Sequence, residues 1–478
     1  MQETLLKIVA TINSYLADYI LIILLIGVGL YFTIRTRFVQ VRCFGEGLKR
    51  VFGGISLRGK KNKSGLSSFQ ALATAIAAQV GTGNIVGASG AILVGGPGAI
   101  FWMWVIAFLG MSTIYAEAVL AQKTREVDED GTVHGGPVYY IKEAFKGNFG
   151  KFLAVFFAVA ITLALGFMGS MVQSNSIAES FNNAFPVIPT WVIGLIVTAA
   201  AAFIFIGGIQ RIASVTEKLV PVMAVLFLIG GFIVLGCNFK QIPETFGMIF
   251  KYAFKPDALV GGAVGIAIKT AVSQGAKRGL FSNEAGMGST PHAHAMANVE
   301  KPHDQGVVAM IGVFIDTFIV LTMTALVVIS SLYAKGGILA GKFGADYISA
   351  TSGDAAIVSK TDAMQKAFSS ALPSGMEDVG TIFIAVCLLF FAFSTIISWN
   401  FFGKINVQYL FKKNAKVAVV VYSIVSVAFI FLGSVLKNDL VWELTDFFNY
   451  LMVIPNAFAL VALGSIVAKS AKDAKKKK

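Results

Sequence analysis

The chain has 478 residues, of which 56% are hydrophobic and only 14% are charged, whereas soluble domains carry about 25% charged residues. This composition excludes a disordered protein and a soluble multidomain protein with polar linkers. One membrane-spanning helix uses about 20 mostly apolar residues, so ten or eleven spans fit. The formal net charge of +13 could suggest nucleic-acid binding, but the basic residues lie between apolar runs. We therefore predict an all-α polytopic protein of the lipid bilayer that binds no nucleic acid.

Eleven apolar runs are candidate membrane spans. The first, from about Tyr19 to Phe32, does not resemble a signal peptide and is interpreted as a peripheral helix. The others lie at 66–94, 98–122, 152–181, 187–207, 217–236, 261–298, 306–333, 379–409, 415–436 and 441–468. Five spans in 66–236 and five in 261–468 predict a 5+5 repeat, inverted because five is an odd number.

The distribution of Lys and Arg orients these spans. Of the 39 basic residues, 27 fall in segments on one side of the predicted membrane. Basic loops are retained in the cytoplasm, so we expect a multi-pass protein of the cell membrane with an external N-terminus and a cytoplasmic C-terminus. The segments outside the two repeats are then an external N-terminus with the first helix (1–34), a basic cytoplasmic loop (35–65), an external connector (237–260) and a Lys-rich cytoplasmic tail (469–478); the second repeat contains an external loop (335–377).

A glycine-rich step interrupts the run 66–94. Gly81 and Gly83 each cost about 1 kcal/mol of helix propensity relative to alanine, so the Gly81–Thr82–Gly83 step predicts a break in this helix. The half-helix before a break offers carbonyls to an ammonium group or a sodium ion, and the half after it offers N–H groups to a carboxylate. A zwitterionic amino acid fits such a break. The alternative is that the glycines only allow close helix packing.

A second segment of this kind lies in 261–298, which is too long and too polar to be one plain helix. Its stretch Ser273–Gly288 contains several glycines. Glycine-interrupted spans at corresponding positions of two repeats are typical of transporters with broken helices at the substrate site. Three residues of this span just before Gly275 offer polar side chains as candidate substrate contacts, namely Thr270, Ser273 and Gln274. Gly275 itself is a fourth candidate.

Three motifs, Gly81–Gly87, Gly135–Ile141 and Gly279–Ser289, resemble the alanine or glycine:cation symporter family, which has the leucine-transporter-like fold of the APC superfamily. The resemblance extends over nearly the whole chain. It implies sodium-coupled uptake of alanine, glycine or similar small neutral amino acids, and no enzymatic activity. A proton-coupled or uncoupled permease stays open as the alternative, because sodium coupling follows mostly from the resemblance.

The stretch Val80–Asn84 is also similar to the VGxGN stretch of the neurotransmitter:sodium symporter group, which shares this fold. That similarity implies that the backbone of Thr82 and Gly83 receives the substrate carboxylate. It also implies that the carbonyl of Gln79 receives the ammonium group. Asn84 either coordinates a cation or stabilises the broken helix.

The same similarity implies a sodium site. Its ligands would be two backbone carbonyls and two hydroxyls, from Ala77, Val80, Ser394 and Thr395. Sodium is a hard cation and prefers oxygen ligands, so the residue types fit. The alternative for the hydroxyls is a hydrogen bond to their own helix backbone.

Bulky side chains could limit the size of the substrate. Phe167 and Met168 lie between two glycines in the third core span, and Trp399 lies in the eighth. Ordinary helix packing is the alternative for all three. Two charged residues at membrane depth, Lys269 and Asp316, form either a structural ion pair or a coupling pair.

The three cysteines form no CxxC pair. Their spacing therefore indicates neither a disulfide framework nor a zinc site.

Overall fold

The computed structural model describes residues 2–53, 66–129, 131–254, 263–340, 342, 358–436 and 438–473. The middle of the predicted external loop 335–377 lies outside these residues, as do parts of the predicted loop 35–65, connector 237–260 and tail 469–478. The described residues are mostly helical. A short antiparallel ribbon joins β1 (Glu126–Val127) and β2 (Val133–His134).

The first half of the chain begins with a continuous helix, α1, made of Gln2–Tyr15, Leu16–Leu21 and Ile22–Arg35. It is followed by α2 (Val39–Arg42), α3 (Phe44–Phe52), α4 (Ser68–Gln79), α5 (Gly83–Gly95), α6 (Gly98–Thr124), α7 (Pro137–Ala144), α8 (Gly147–Ala184), α9 (Thr190–Ile206) and α10 (Gly208–Cys237).

The second half begins with an amphipathic helix, α11 (Ile242–Phe254). It is followed by α12 (Ala263–Asn283), α13 (Pro291–Ala295), α14 (Pro302–Tyr333), α15 (Ala363–Ala371), α16 (Glu377–Leu410), α17 (Ala415–Val435), α18 (Asn438–Ala462) and α19 (Gly464–Asp473). Single turns of 3-10 helix lie at Phe239–Gln241 and Lys412–Asn414.

Among the described residues, eight helices are long and apolar enough to cross a membrane: α1, α6, α8, α10, α14, α16, α17 and α18. The bent pair α4 and α5 raises this number to nine. Two of the eleven predicted spans fall outside this set. Helix α9 has only 17 residues, and the predicted run 261–298 is interrupted.

The break predicted in the run 66–94 is confirmed. A capping box between Ser67 and Gln70 starts α4, and α4 ends at Gln79. Val80 then leaves the helical region, with φ −81° and ψ 83°, and helix resumes at Gly83 with a bend of 44°. The half before the break packs against α10, α14 and α16, and the half after it packs against α12 and α14. Nearly all residues of both halves are buried, so this break lies inside the helix bundle.

The run 261–298 is also broken, but further along the chain than the glycines at 275 and 279. Helix α12 is continuous to Asn283, and non-helical backbone then leads to α13. Three residues of this second break, Glu284, Gly286 and Gly288, have positive φ angles of 57°, 91° and 80°. Glycine adopts such angles without the steric cost that a side chain adds, which explains the glycine spacing at this point.

The predicted pairing of Lys269 with Asp316 is wrong. Lys269 Nζ lies 3.2 Å from Asp18 Oδ2 and 4.8 Å from the centre of the Tyr19 ring. The reason is that the first part of α12 packs against α1. Asp316 lies on α14 and is buried elsewhere.

Candidate functional site

The break between α4 and α5 holds its free backbone N–H groups against side-chain oxygens. Thr82 N donates to Gln173 Oε1 on α8 at 3.1 Å. Gly81 N donates to Asn84 Oδ1 at 3.1 Å and to the Gln79 carbonyl at 3.0 Å. All of these residues are buried. The uncharged amide oxygen of Gln173 therefore occupies the position at which the resemblance places the substrate carboxylate.

Several polar atoms around this break are buried without a hydrogen-bond partner among the described residues. They are Gln79 Oε1, Thr82 Oγ1 and Gln173 Nε2. A buried polar group without a partner costs about 1–3 kcal/mol, and such groups are rare unless a ligand or water satisfies them. Their clustering at one break suits a small polar ligand with both donors and acceptors.

Two hydroxyls of α16 meet the last turn of α4. Thr395 Oγ1 donates to the Ala77 carbonyl at 2.8 Å, and Ser394 Oγ lies 3.4 Å from the same oxygen. Both hydroxyls also lie within hydrogen-bond distance of the Phe391 carbonyl, at 3.1 Å and 2.8 Å. Each hydroxyl therefore contacts both the backbone of α4 and the backbone of its own helix, α16. Val80, the fourth predicted sodium ligand, follows α4 and is buried.

A buried carboxylate lies on the other side of the break. Asp316 accepts hydrogen bonds from Asn84 Nδ2 at 2.7 Å, Ser282 Oγ at 2.9 Å and Thr317 Oγ1 at 2.8 Å. Within the part of the chain that the structure describes, no Lys, Arg or His forms an ion pair with it. A buried carboxylate is costly unless a cation or a proton neutralises it. The Asn84–Asp316 pair therefore offers oxygen atoms for a cation next to the break.

Aromatic residues restrict the space around the break. The Phe281 ring packs edge-on against Trp399, with centroids 5.8 Å apart, and a Cβ added at Gly83 would lie 3.0 Å from Phe281 Cδ1. The other side of Phe281 meets Trp442 at 4.9 Å. Beyond Trp442, Arg278 stacks on its indole at 4.7 Å and pairs with Asp446 at 3.0 Å. The rings of Phe281, Trp399 and Trp442 and the Arg278–Asp446 ion pair thus form one connected cluster next to the break.

Two further carboxylates hold the second break. Glu117 of α6 accepts hydrogen bonds from the backbone N–H groups of Gly286 and Gly288 at 3.1 Å and 3.0 Å. Glu284 accepts a hydrogen bond from Trp399 Nε1 at 2.5 Å and another from the Ser289 hydroxyl. Glu117 therefore satisfies two backbone donors that the break frees, and Glu284 connects the break to Trp399 of α16.

The structure brings only some of the predicted site residues to the first break. Gln79, Gly81, Thr82, Gly83 and Asn84 form it, and the predicted sodium ligands Ala77, Ser394 and Thr395 meet beside it. Trp399 lies close by through Phe281.

Phe167 and Met168 lie elsewhere. The Phe167 ring packs on Tyr422 and Phe429, at 5.5 Å and 5.0 Å, and Met168 packs partly buried against the core.

The candidates on α12 also lie away from the first break. The Ser273 hydroxyl donates to Asp18 of α1. Gly275 faces Trp102 and Ala99 of α6, and the Gln274 side chain adjoins Gly95, at the far end of α5. Thr270 lies in the same stretch of α12. Because α12 stays helical to Asn283, its residues Phe281 and Ser282 reach the break instead.

The sequence profile of the sodium:alanine symporter family matches residues 2–478. The chain belongs to this family. It is 37% identical to the "Sodium/alanine symporter AgcS" of Methanococcus maripaludis over 98% of this chain and 96% of that protein. It is 38% identical to the "Probable sodium/glutamine symporter GlnT" of Bacillus subtilis over 99% of this chain and 91% of that protein.

A third relative is the "Putative sodium/proton-dependent alanine carrier protein YrbD" of Bacillus subtilis, 38% identical over 98% of this chain and 92% of that protein. The fold is similar to that of MhsT, solved in complex with L-phenylalanine, with a TM-score of 0.58 at 15% identity over 86% of this chain and 97% of that one. This sodium:alanine symporter family member is therefore a transporter with a leucine-transporter-like fold, and not an enzyme.

Sequence reasoning missed Gln173 at the first break of this family member, and it missed that Asp316 lies there too. Gln173 begins a polar stretch, Gln173–Ser176, inside an otherwise apolar span, and that polarity was the available signal. Asp316 was recognised as costly at membrane depth, but its partners Asn84 and Ser282 become visible only when α5, α12 and α14 are packed together.

Proposed function

We propose that this protein takes up a small neutral amino acid, alanine or glycine, together with sodium, and that the break between α4 and α5 binds both. The observation that carries the proposal is the coincidence of two groups of atoms at one buried point. The Thr82 N–H and the atoms without partners around it suit a zwitterion. The Ala77 carbonyl with the Ser394 and Thr395 hydroxyls supplies oxygen ligands of the kind a hard cation prefers.

In this proposal the substrate carboxylate displaces Gln173 Oε1 and binds the backbone of Thr82 and Gly83. The ammonium group binds the Gln79 carbonyl, and sodium binds Ala77, Val80, Ser394 and Thr395. Phe281, Ser282 and Trp399 act as the wall that limits the substrate side chain. Roles in substrate binding for Phe167, Met168, Thr270, Ser273, Gln274 and Gly275 stay predictions.

A small substrate is favoured by the close packing of the break. A Cβ added at Gly83 would lie 3.0 Å from Ser282 Cα as well as from the Phe281 ring. Because protein interiors tolerate little extra volume, a substrate side chain of one methyl group fits this environment better than an aromatic one. Relatives named for alanine and for glutamine indicate the range of substrate sizes to test.

The proposed transport cycle is alternating access across eleven spans. The first five-helix repeat (66–236) contains α4 with α5, α6, α8, α9 and α10, and the second (261–468) contains α12 with α13, α14, α16, α17 and α18. Helix α1 precedes them, the N-terminus is external, and the basic segments are cytoplasmic by the positive-inside rule. Arg278, Asp446 and Trp442 then form the outer gate.

A proton-coupled permease is the second candidate, and Asp316 is the observation that favours it. Its carboxylate accepts hydrogen bonds and pairs with no basic side chain among the described residues, so a bound proton would neutralise it as well as a cation would. Sodium remains the preferred coupling ion, because the Ala77 carbonyl and the Ser394 and Thr395 hydroxyls have no role in binding a proton.

The test is uptake of radiolabelled alanine into proteoliposomes that contain the purified protein. An inward sodium gradient should drive accumulation that collapses when choline replaces sodium and that unlabelled glycine and alanine inhibit. Equal uptake in choline contradicts sodium coupling, and uptake driven by an inward pH gradient in choline supports the proton alternative. Uptake of radiolabelled glutamine or phenylalanine without saturable uptake of alanine contradicts the small substrate.

A further inference from the structure

A cysteine, a glutamate and a histidine meet on the face of the protein that carries the basic segment 35–63. Cys43 lies between α2 and α3, Glu46 lies in the first turn of α3, and His303 lies in the first turn of α14. One ligand atom from each residue lies within 4.8 Å of the other two. Cys43 and His303 are buried, and Glu46 is partly buried.

The ring of His303 is oriented toward this cluster. Its Nδ1 shares a hydrogen bond of 2.8 Å with the Tyr115 hydroxyl. Its Nε2 is buried without a hydrogen-bond partner among the described residues and lies 3.5 Å from Glu46 Oε2. A hydrogen bond at one ring nitrogen that fixes the other toward a ligand is the usual arrangement of a metal-binding histidine.

We propose that Cys43, Glu46 and His303 form a binding site for a borderline divalent transition metal, for which zinc is the test ion. Zinc binds thiolate at about 2.3 Å, imidazole at about 2.0–2.1 Å and carboxylate at about 2.0–2.2 Å. In a tetrahedral site these lengths place the ligand atoms about 3.3 to 3.6 Å apart. The His303–Glu46 separation of 3.5 Å already matches this range, and a fourth position is left for water.

The charges around the cluster also suit a dication. Arg50 Nη2 contacts Glu46 Oε1 at 3.1 Å and Asp304 Oδ1 at 2.8 Å. The single positive charge of Arg50 is therefore shared between two carboxylates. The Cys43 thiolate that metal binding requires gives this group of four side chains a net charge of −2. A bound dication neutralises that charge.

The metal would connect α3 to the beginning of α14. These helices are already tightly packed, because a Cβ at Gly47 would lie 2.8 Å from the Val307 carbonyl. The cluster has no sequence signature, since Cys43 and His303 are far apart in the chain and come together only through this packing. Because the ion binds the folded protein, it should raise thermal stability with the logarithm of its concentration once that concentration exceeds its dissociation constant.

The test is a zinc titration of the purified full-length protein, with bound metal and thermal stability measured together. The wild type should bind one equivalent and melt at a higher temperature. Cys43→Ser and His303→Gln should each weaken binding by more than the about 10- to 100-fold expected for an outer-shell partner, and Tyr115→Phe should weaken it within that range. Cys237→Ser and His134→Gln are matched controls that remove a thiol or an imidazole elsewhere, and they should bind as the wild type does.

Cobalt(II) reports directly on the ligands. The wild type should show the sulfur-to-cobalt charge-transfer band of a bound thiolate and visible bands of a tetrahedral ion, and Cys43→Ser should lose the first. The proposal is overturned if wild type and Cys43→Ser bind zinc equally, or if the cobalt complex of the wild type lacks the thiolate band. Should Cys43→Ser or His303→Gln elute as aggregate, Glu46→Gln and Tyr115→Phe decide the question, because unchanged zinc affinity in both overturns the site.

Discussion

Gln173 Oε1 accepts a hydrogen bond from the backbone N–H of Thr82, at 3.1 Å, where α4 and α5 are interrupted. The amide group of Gln173 carries no charge, so it can yield this N–H to a substrate carboxylate at modest cost. A neutral hydrogen bond contributes about 0.5–1.5 kcal/mol. The proposed site therefore keeps its donor satisfied between transport cycles and releases it when the substrate binds.

Gln173→Glu should weaken alanine transport strongly. The added negative charge would repel the substrate carboxylate, and buried like-charge contacts cost several kcal/mol, so KM should rise by more than about tenfold. Gln173→Ala only removes the acceptor and should change KM by less than about tenfold, since one neutral hydrogen bond is involved. Equal effects of the two variants in proteoliposome uptake would contradict a carboxylate site at Thr82.

Gly81→Ala should abolish substrate binding. A Cβ at this position would collide with Thr395 Oγ1 and lie 3.1 Å from Gln173 Oε1, and both neighbours are buried. Gly90→Ala is the matched control on α5, because its Cβ would meet Lys360 Cβ at an ordinary 3.5 Å. Binding of radiolabelled alanine to detergent-purified protein measures the difference. Wild-type binding by Gly81→Ala would contradict the close contact of this break with α16.

Thr395→Val should raise the sodium concentration that gives half-maximal uptake. The substitution keeps the shape of the side chain and removes the hydroxyl that contacts the Ala77 carbonyl at 2.8 Å. The loss of one of four proposed ligands should shift this concentration by about tenfold or more, which corresponds to about 1.4 kcal/mol. Thr395→Ser restores the hydroxyl and should restore the sodium affinity.

Thr381→Val is the control for this experiment. Thr381 bonds the Glu377 carbonyl of its own helix at 3.3 Å, near the start of α16 and away from α4. The same chemical change there should leave sodium dependence as in the wild type. If both variants shift it equally, the effect belongs to the helix and not to an ion site.

The sequence predicted the helical architecture and the position of the first break, because Gly81–Gly83 acts on local backbone propensity. For the second break it indicated only the glycine-containing stretch Ser273–Gly288, without a position inside it. Glycines at 275 and 279 serve close packing against α6, as the contact of Gly275 with Ala99 shows, whereas Gly286 and Gly288 adopt positive φ. Glycine spacing alone does not separate these two uses. Partners distant in the chain, such as Gln173 and Thr82, depend on packing that no local pattern encodes.

Asp316→Asn should show whether Asp316 takes part in coupling. If Asp316 helps to bind the coupling ion beside Asn84, loss of its charge should reduce gradient-driven alanine accumulation by at least about tenfold, equivalent to about 1.4 kcal/mol. Asp128→Asn is the control, since Asp128 is exposed and pairs with His134. Accumulation ratios under separate sodium and pH gradients measure the effect. Wild-type ratios under both gradients would exclude Asp316 from coupling.

Glu117→Gln should destabilise the protein. Each carboxylate oxygen of Glu117 accepts a backbone N–H of the second break, and Asn456 donates to one of them at 2.7 Å. A glutamine side chain of the same size keeps one acceptor and turns a donor toward a donor, which should cost about 1–3 kcal/mol for the buried group left unsatisfied.

The measurement is thermal melting of the purified variant, followed by size-exclusion chromatography. Glu143→Gln is the control, because Glu143 is exposed and pairs only with Lys146 among the described residues, and such surface pairs contribute about 0–1 kcal/mol. A melting temperature of Glu117→Gln equal to that of Glu143→Gln would mean that the loop at 284–290 holds its shape without Glu117. A clear drop places the rigidity of the second break in a side chain of the first repeat, so that the two repeats are coupled through α6.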